Sequence, residues 1–151
     1  MIGLSYLAKN NFSSLKKASV ALLANQAAVN YRFEHLADLL IKNKIDLKLI
    51  FAPEHGFRGE MQDMDFIGDS KDLYTGVKIV SLYGNDENSL APKEQDLENI
   101  DILLIDLPDI GTRYYTFAQS MIYSMSVAKK TNTKVVAVSY THLTLPTICS
   151  V

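Results

Sequence analysis

The segment PEHGFRG at residues 53–59 has the residue types and spacing best suited to chemistry. Glu54, His55 and Arg58 supply a carboxyl, an imidazole and a guanidinium within five residues. The two glycines allow tight turns, and apolar neighbours such as Phe57 favour the protonated carboxyl that general acid catalysis uses. A purely structural interpretation is a turn in which Glu54 pairs with Arg58 and His55 caps a backbone group.

A second segment, DLPDIGTRYYTF at residues 106–117, carries two further carboxyls. Asp106 and Asp109 are close in sequence, and Arg113 is placed to orient either of them. The Tyr114-Tyr115 pair can stack against a sugar face or donate a hydrogen bond. The structural alternative makes Asp106 a buried loop anchor, Asp109 a helix N-terminal acid and the tyrosines part of the core.

The helices and strands that must position these segments follow from the spacing of apolar residues and from the prolines and glycines that end each run. Amphipathic or capped stretches predict helices at residues 32–42, 92–98 and 114–130, and residues 59–77 are predicted to form a long loop. Short apolar runs predict five strands, at residues 18–24, 46–52, 78–83, 101–107 and 134–138. Strands that are apolar on both faces and alternate with helices indicate an α/β fold, an open, doubly wound parallel sheet with helices on both faces.

In such a sheet the carboxyl ends of the strands open on one edge, where ligands bind. Asn25 and Gln26 follow the first strand and Glu54 follows the second. Asp106 lies at the end of the fourth strand and Asp109 follows it. The sequence therefore predicts a crevice lined by these side chains.

Composition narrows the function classes. The 151 residues are 48% hydrophobic and 21% charged, which is typical of one globular domain, and the net charge of −2 gives no reason to expect nucleic acid. No apolar run is long enough to span a bilayer, no signal peptide is visible at the N-terminus, and the single cysteine, Cys149, cannot form a disulfide framework. LLANQAAV stands where a dinucleotide-binding G-x-G-x-x-G would follow the first strand. His35 is expected on the surface of the first helix.

Four motifs in order, LLANQAAV, FAPEHGFRG, SLYG and DLPDIGTRYYTF, resemble those of the bacterial exo-β-N-acetylmuramidase family, the NamZ-like proteins. Its members typically show LLTNQTG, FSPEHGLRG, SLYG and FDIQDVGARFYTY. The resemblance covers nearly all of residues 1–138. The chain departs from the family pattern at Ala24, Ala27 and Pro108, and Pro108 removes a polar side chain beside Asp109.

The resemblance implies a Rossmann-like N-terminal catalytic domain over residues 1–138, truncated after its fifth strand, in a protein that continues into a smaller C-terminal domain. It implies a hydrolase of peptidoglycan that releases terminal N-acetylmuramic acid from the non-reducing ends of the glycan, in the cell envelope or secreted. It implies no metal ion or organic cofactor, and the charge and the apolar run lengths predict no nucleic-acid partner and no membrane span.

Glycoside hydrolysis assigns roles to the site residues under this resemblance. Glu54 is expected to be the general acid/base and Asp109 the second carboxylate, although the substrate's 2-acetamido group can also act as the nucleophile. His55 and Arg58 are expected to tune the acid or to hold the lactyl carboxylate of the sugar. The remaining residues expected to contact or position the substrate are Asn25, Gln26, Asp106, Arg113 and Tyr115. Two alternatives are a muramyl-glycan-binding module without catalysis and a metal-dependent hydrolase using His55, Asp106 and Asp109.

The final residues, 139–151, do not fit the pattern, since they carry no charge and no helical period. Together with Val138 they begin VSYTHLTLPT, which resembles a translated sequencing-transposon adapter. We predict that residues 139–151 are not native and that DNA sequenced past the Val138 codon in independent clones encodes other residues. Recurrence of the same tail in those clones would contradict the prediction.

Overall fold

The computed structural model describes residues 3–59, 70–84, 87–108 and 116–138. Its four α-helices in these ranges are α1 (Gly3–Lys9), α2 (Leu36–Lys42), α3 (Glu94–Leu97) and α4 (Phe117–Lys130). Its strands are β1 (Ser19–Ala24), β2 (Asp46–Ala52), β3 (Ser70–Lys71), β4 (Lys78–Ser81), β5 (Ile102–Asp106) and β6 (Lys134–Ala137). Short 3-10 turns lie at Ser13–Leu15 and Glu87–Leu90.

The strands form a single sheet in the order β3-β4-β2-β1-β5-β6. All neighbours pair in parallel except β3 and β4, which are antiparallel. Without β3, the parallel strands lie in the order β4-β2-β1-β5-β6. Counted along the chain, this is the order 3-2-1-4-5 of a Rossmann-like doubly wound fold. The predicted α/β fold is therefore confirmed, with an antiparallel edge strand that the sequence did not predict.

Both faces of the sheet are covered, and β1 shows how. Leu22 faces one core cluster together with Leu36 of α2. The next residue, Leu23, faces the opposite cluster together with Val127 of α4. Successive side chains of a strand point to opposite faces, so a strand buried on both faces is apolar throughout.

The first predicted helix is shorter than expected. Tyr31 and Arg32 form a turn, His35 makes an isolated bridge to Val29, and the helix begins only at Leu36. The side-chain oxygen of Asn30 accepts hydrogen bonds from the backbone N–H groups of Arg32 at 2.8 Å and Glu34 at 3.0 Å. Phe33 has a left-handed φ of 60°. A polar side chain that bonds to nearby backbone thus competes with the helix and delays its start.

Two other elements escaped the sequence prediction. Strand β3 lies within residues 59–77, predicted as loop, and its two residues are too few to show an alternating pattern. Helix α1 is seven residues long and buries Leu4 and Leu7 against the α2 side of the core. Among the described residues, no helix is both long and apolar enough to cross a bilayer.

We predict that Gly3→Ala lowers stability. An alanine usually stabilises a helix relative to glycine, but a Cβ at Gly3 would overlap the carbonyl oxygen of Val138. Overpacking of this kind costs about 1–3 kcal/mol, and each kcal/mol lowers the melting temperature of a domain this size by about 2–4 °C. Thermal unfolding measures the change, with Lys9→Ala, an exposed position of the same helix, as the control. A higher melting temperature for Gly3→Ala would contradict the predicted overlap.

Candidate active site at the carboxyl ends of β1, β2 and β5

The strand order reverses between β1 and β5, which is where a doubly wound fold is expected to open a crevice. β1 is flanked by β2 on one side and β5 on the other, and the register places Ala24 beside Asp106. Connections leave these strands toward opposite sides, which opens a crevice at their carboxyl ends. The turn after β1, the loop after β2 and the end of β5 therefore meet at one edge, as predicted.

Asn25 and Gln26 shape the turn after β1. Asn25 is buried, and its side-chain oxygen accepts a hydrogen bond from the Ala27 backbone N–H at 3.0 Å. Its backbone carbonyl accepts another from the Ala28 N–H at 3.1 Å. Gln26 is exposed and lies against the end of the PEHGFRG loop, since a Cβ at Gly59 would be 3.2 Å from the Gln26 Cγ atom.

His35 is buried, which corrects its expected surface position. It is the N-cap of α2, and its Nδ1 accepts the Ala37 backbone N–H at 3.2 Å. The proton is therefore on Nε2, which donates to the Asn25 carbonyl at 2.9 Å. Burial lowers the pKa of His35 and outweighs that hydrogen bond, which raises it. A neutral His35 thus joins the turn after β1 to the start of α2.

The PEHGFRG loop is anchored first through Phe57, whose ring meets the His35 ring edge-on at a centroid distance of 4.6 Å. The loop turns sharply: Gly56 donates its backbone N–H to the Pro53 carbonyl at 3.2 Å, and His55 has a left-handed φ of 72°. The His55 side chain is exposed at the crevice edge.

The Glu54 side chain contacts the start of α4. Its Oε2 accepts a hydrogen bond from the Thr116 hydroxyl at 2.9 Å, and Thr116 is the N-cap position of α4. The Glu54 side chain is half-buried. This hydrogen bond joins the loop after β2 to the start of α4, the helix that follows β5. The Glu54 carboxyl therefore lies between these two segments.

Arg58 has different partners. Its guanidinium makes hydrogen-bonded ion pairs with Asp72 and Asp38, the shortest of them at 2.6 Å. Neither acid was predicted from the sequence. The structure thus does not show the predicted Glu54–Arg58 turn, because Glu54 bonds Thr116 and Arg58 bonds the two aspartates.

The segment at the end of β5 carries the remaining predicted site residues. Asp106 ends β5 and is buried. The structural alternative, a buried anchor, predicts the same burial, so the substrate-contacting role of Asp106 stays a prediction. Asp109, Arg113 and Tyr115 lie outside the described residues, so their predicted roles stay predictions. Within the described ranges, no group of three His, Cys, Asp or Glu side chains could hold a metal ion.

A separate cleft of about 720 Å³ lies between α3 and α4. Pro92, Glu94, Tyr123 and Lys130 are among its lining residues, and Lys130 pairs with Glu94 across it at 3.0 Å. It contains none of the predicted site residues. We place the candidate site at the strand ends, because the polar loops converge there.

Comparisons with known proteins address the family and the fold of the chain. The profile of the family described as Exo-beta-N-acetylmuramidase NamZ, N-terminal, matches residues 20–141. The chain is 39% identical over 129 residues to the peptidoglycan beta-N-acetylmuramidase NamZ of Bacillus subtilis (strain 168). It is also similar to two crystal structures of DUF1343 family proteins from Bacteroides fragilis NCTC 9343, with TM-scores of 0.80 and 0.74 at 29% and 32% identity.

These matches cover most of this chain but a minority of each relative. The B. subtilis alignment includes 85% of this chain and 30% of the relative. The two B. fragilis alignments include 91% of this chain and 33% and 34% of those chains. The chain therefore spans about a third of the length of the proteins that it matches.

We predict that His35 makes stability depend on pH. Because its folded pKa is lowered, the unfolded chain binds more protons, and stability falls as the pH drops below about 6.5, the ordinary histidine value. The slope is at most about 1.4 kcal/mol per pH unit, the limit for one proton. Urea unfolding between pH 8 and about 5 should show it, and His35→Gln should flatten it. An imidazole titration of His35 by NMR with a midpoint at or above 6.5 would refute the prediction.

Proposed function

Because this chain belongs to the family described as Exo-beta-N-acetylmuramidase NamZ, N-terminal, we propose that it forms part of a glycoside hydrolase acting on peptidoglycan. The reaction is the release of terminal N-acetylmuramic acid from the non-reducing ends of the glycan. Residues 1–138 form the Rossmann-like N-terminal catalytic domain in this proposal, and residues 139–151 are a non-native tail. A further domain of the same protein completes the cleft.

The observation that carries the proposal is the position of Glu54. Its carboxyl stands at the end of β2, half-buried, and is held by the Thr116 hydroxyl at the start of α4. Protonation of a leaving glycosidic oxygen requires a carboxyl that is held in a fixed position beside the substrate. Glu54 meets this requirement and is the proposed general acid/base.

The second catalytic carboxylate is assigned to the segment at the end of β5. Asp109 is the proposed second carboxylate, with Asp106 behind it, and Arg113 and Tyr115 position the substrate. The carboxyl separation decides the stereochemistry, since about 5–5.5 Å gives retention and about 6.5–9.5 Å gives inversion. The substrate's own acetamido group is the alternative nucleophile, and it would make Asp109 dispensable for the first step.

Glu54→Gln should reduce hydrolysis by about 10²- to 10⁴-fold, because the amide cannot donate the proton. The assay measures release of N-acetylmuramic acid from a chromogenic muramide. It is run on the 151-residue chain and on a chimera that joins residues 1–138 to the part of the B. subtilis relative beyond the aligned region. Glu98→Gln, which changes an exposed carboxyl at the end of α3, is the matched control and should leave the rate unchanged.

Three results would contradict the proposal. No release by a folded parent chimera rejects the hydrolase. Sugar binding that is equal in parent and Glu54→Gln, without hydrolysis by either, favours a binding module. Loss of activity on chelation favours the metal-dependent alternative with His55, Asp106 and Asp109.

A further inference from the structure

The guanidinium of Arg58 is occupied by two carboxylates. Nε and Nη2 donate to the two oxygens of Asp72 at 2.6 and 2.9 Å. Nη1 and Nη2 donate to the two oxygens of Asp38 at 3.2 and 2.6 Å. Both pairs are bidentate, the arrangement that fixes a guanidinium most firmly in direction.

Asp72 is built into the structure as a fixed acceptor. It is 4% exposed, and its Oδ2 also accepts the Thr75 backbone N–H at 2.8 Å and the Thr75 hydroxyl at 2.6 Å. The backbone of the same residue closes the turn before β4, through bonds to Val77 at 2.9 Å and Gly76 at 2.8 Å. Burial raises the pKa of Asp72, but the hydrogen bonds from Arg58 and Thr75 outweigh it and lower that pKa to about 2.

Aromatic rings add to the confinement of Arg58. The Tyr74 ring centroid lies 4.6 Å from the guanidinium carbon, and the Phe57 centroid lies 5.3 Å from it. The hydrogen bonds to Asp72, followed by those to Asp38, hold the pKa of Arg58 above its ordinary value. Arg58 is therefore a permanent cation whose charge is already balanced by two acids.

The loop that carries Arg58 needs such an anchor. His55 is in a left-handed conformation that costs a non-glycine residue free energy, and Gly56 and Gly59 have φ values of 83° and 74°. A backbone of this kind persists only where its surroundings fix it. Glu54 directly precedes His55, so the direction of its side chain depends on the conformation of this segment.

We propose that Asp72 and Asp38 are positioning residues, which through Arg58 hold residues 53–59 in the conformation that presents Glu54 to the crevice. Arg58 then holds the loop in place and does not contact the substrate. This role replaces the substrate contact that the sequence analysis expected for Arg58. The inference deepens the proposed hydrolase and rests on it for its catalytic consequence. Its structural part, the clamp itself, can be tested on this chain alone.

The first experiment measures amide hydrogen exchange in the 151-residue chain. Asp72→Asn should speed exchange of the Gly56 amide, which bonds Pro53 in the turn, by about tenfold or more, the protection lost when a local anchor is removed. Amides of β1 should be unchanged. Lys42→Met is the matched control, because it removes an exposed ion pair with Glu34 on the helix that carries Asp38.

The second experiment measures kcat and KM in the chimera described above. Asp72→Asn and Arg58→Lys should each lower kcat by about 10- to 100-fold, the effect of a misplaced catalytic group, with KM nearly unchanged. The double variant should lose little more than either single one, because both break the same contact. If Asp72→Asn does not fold, Asp38→Asn, at a half-exposed acid, provides the same test.

Faster loop exchange together with the loss in kcat supports the clamp. Unchanged loop exchange overturns it, and so does an unchanged kcat in an active chimera. A raised KM with kcat retained also overturns it, because that result would place Arg58 on the substrate. A parent without activity rejects the proposed function instead, and hydrogen exchange then decides the clamp by itself.

Discussion

Strand β1 carries the constraint on which the rest of the fold depends, because both of its faces and both of its edges are occupied. It pairs in parallel with β2 and β5, and its alternating residues belong to two separate cores. A parallel sheet needs helical crossovers, and crossovers that leave toward opposite sides create a crevice at the carboxyl ends. The place of the candidate site is thus decided by apolar burial before any polar side chain contributes.

That part of the fold was predictable for the same reason. Strands buried on both faces leave continuous apolar runs, and the predicted strand at residues 46–52 agrees with β2 at both ends. Prediction was wrong where local polar bonds compete with a regular element. The turn made by the Asn30 side chain removed the first residues of the predicted helix, and β3 is too short to leave a pattern.

The candidate site also has a part that the sequence predicts and a part that it does not. The sequence placed Asn25, Glu54 and Asp106 at one sheet edge, because topology alone brings strand ends together. It could not identify the partners of Arg58, which lie 14 and 20 residues away in the chain. Asp72 sits in an acid-rich stretch that was predicted as loop, and nothing in its local pattern marks it as the buried acceptor. His35 was misassigned because an N-cap role depends on where the helix begins.

The two ends of the PEHGFRG loop have different physical tasks. Phe57 and Arg58 bind it to His35, α2 and the turn before β4, whereas Glu54 bonds the start of α4. A buried ion pair is weak evidence for stability, since desolvation offsets much of the Coulomb attraction. The stronger effect of the ion pairs is to fix the direction of the Arg58 guanidinium. The left-handed backbone at His55, which lies between the two anchored ends of the loop, persists only where its surroundings hold it. The charged cluster is therefore better explained by the geometry of the Glu54 loop than by a contribution to the free energy of folding.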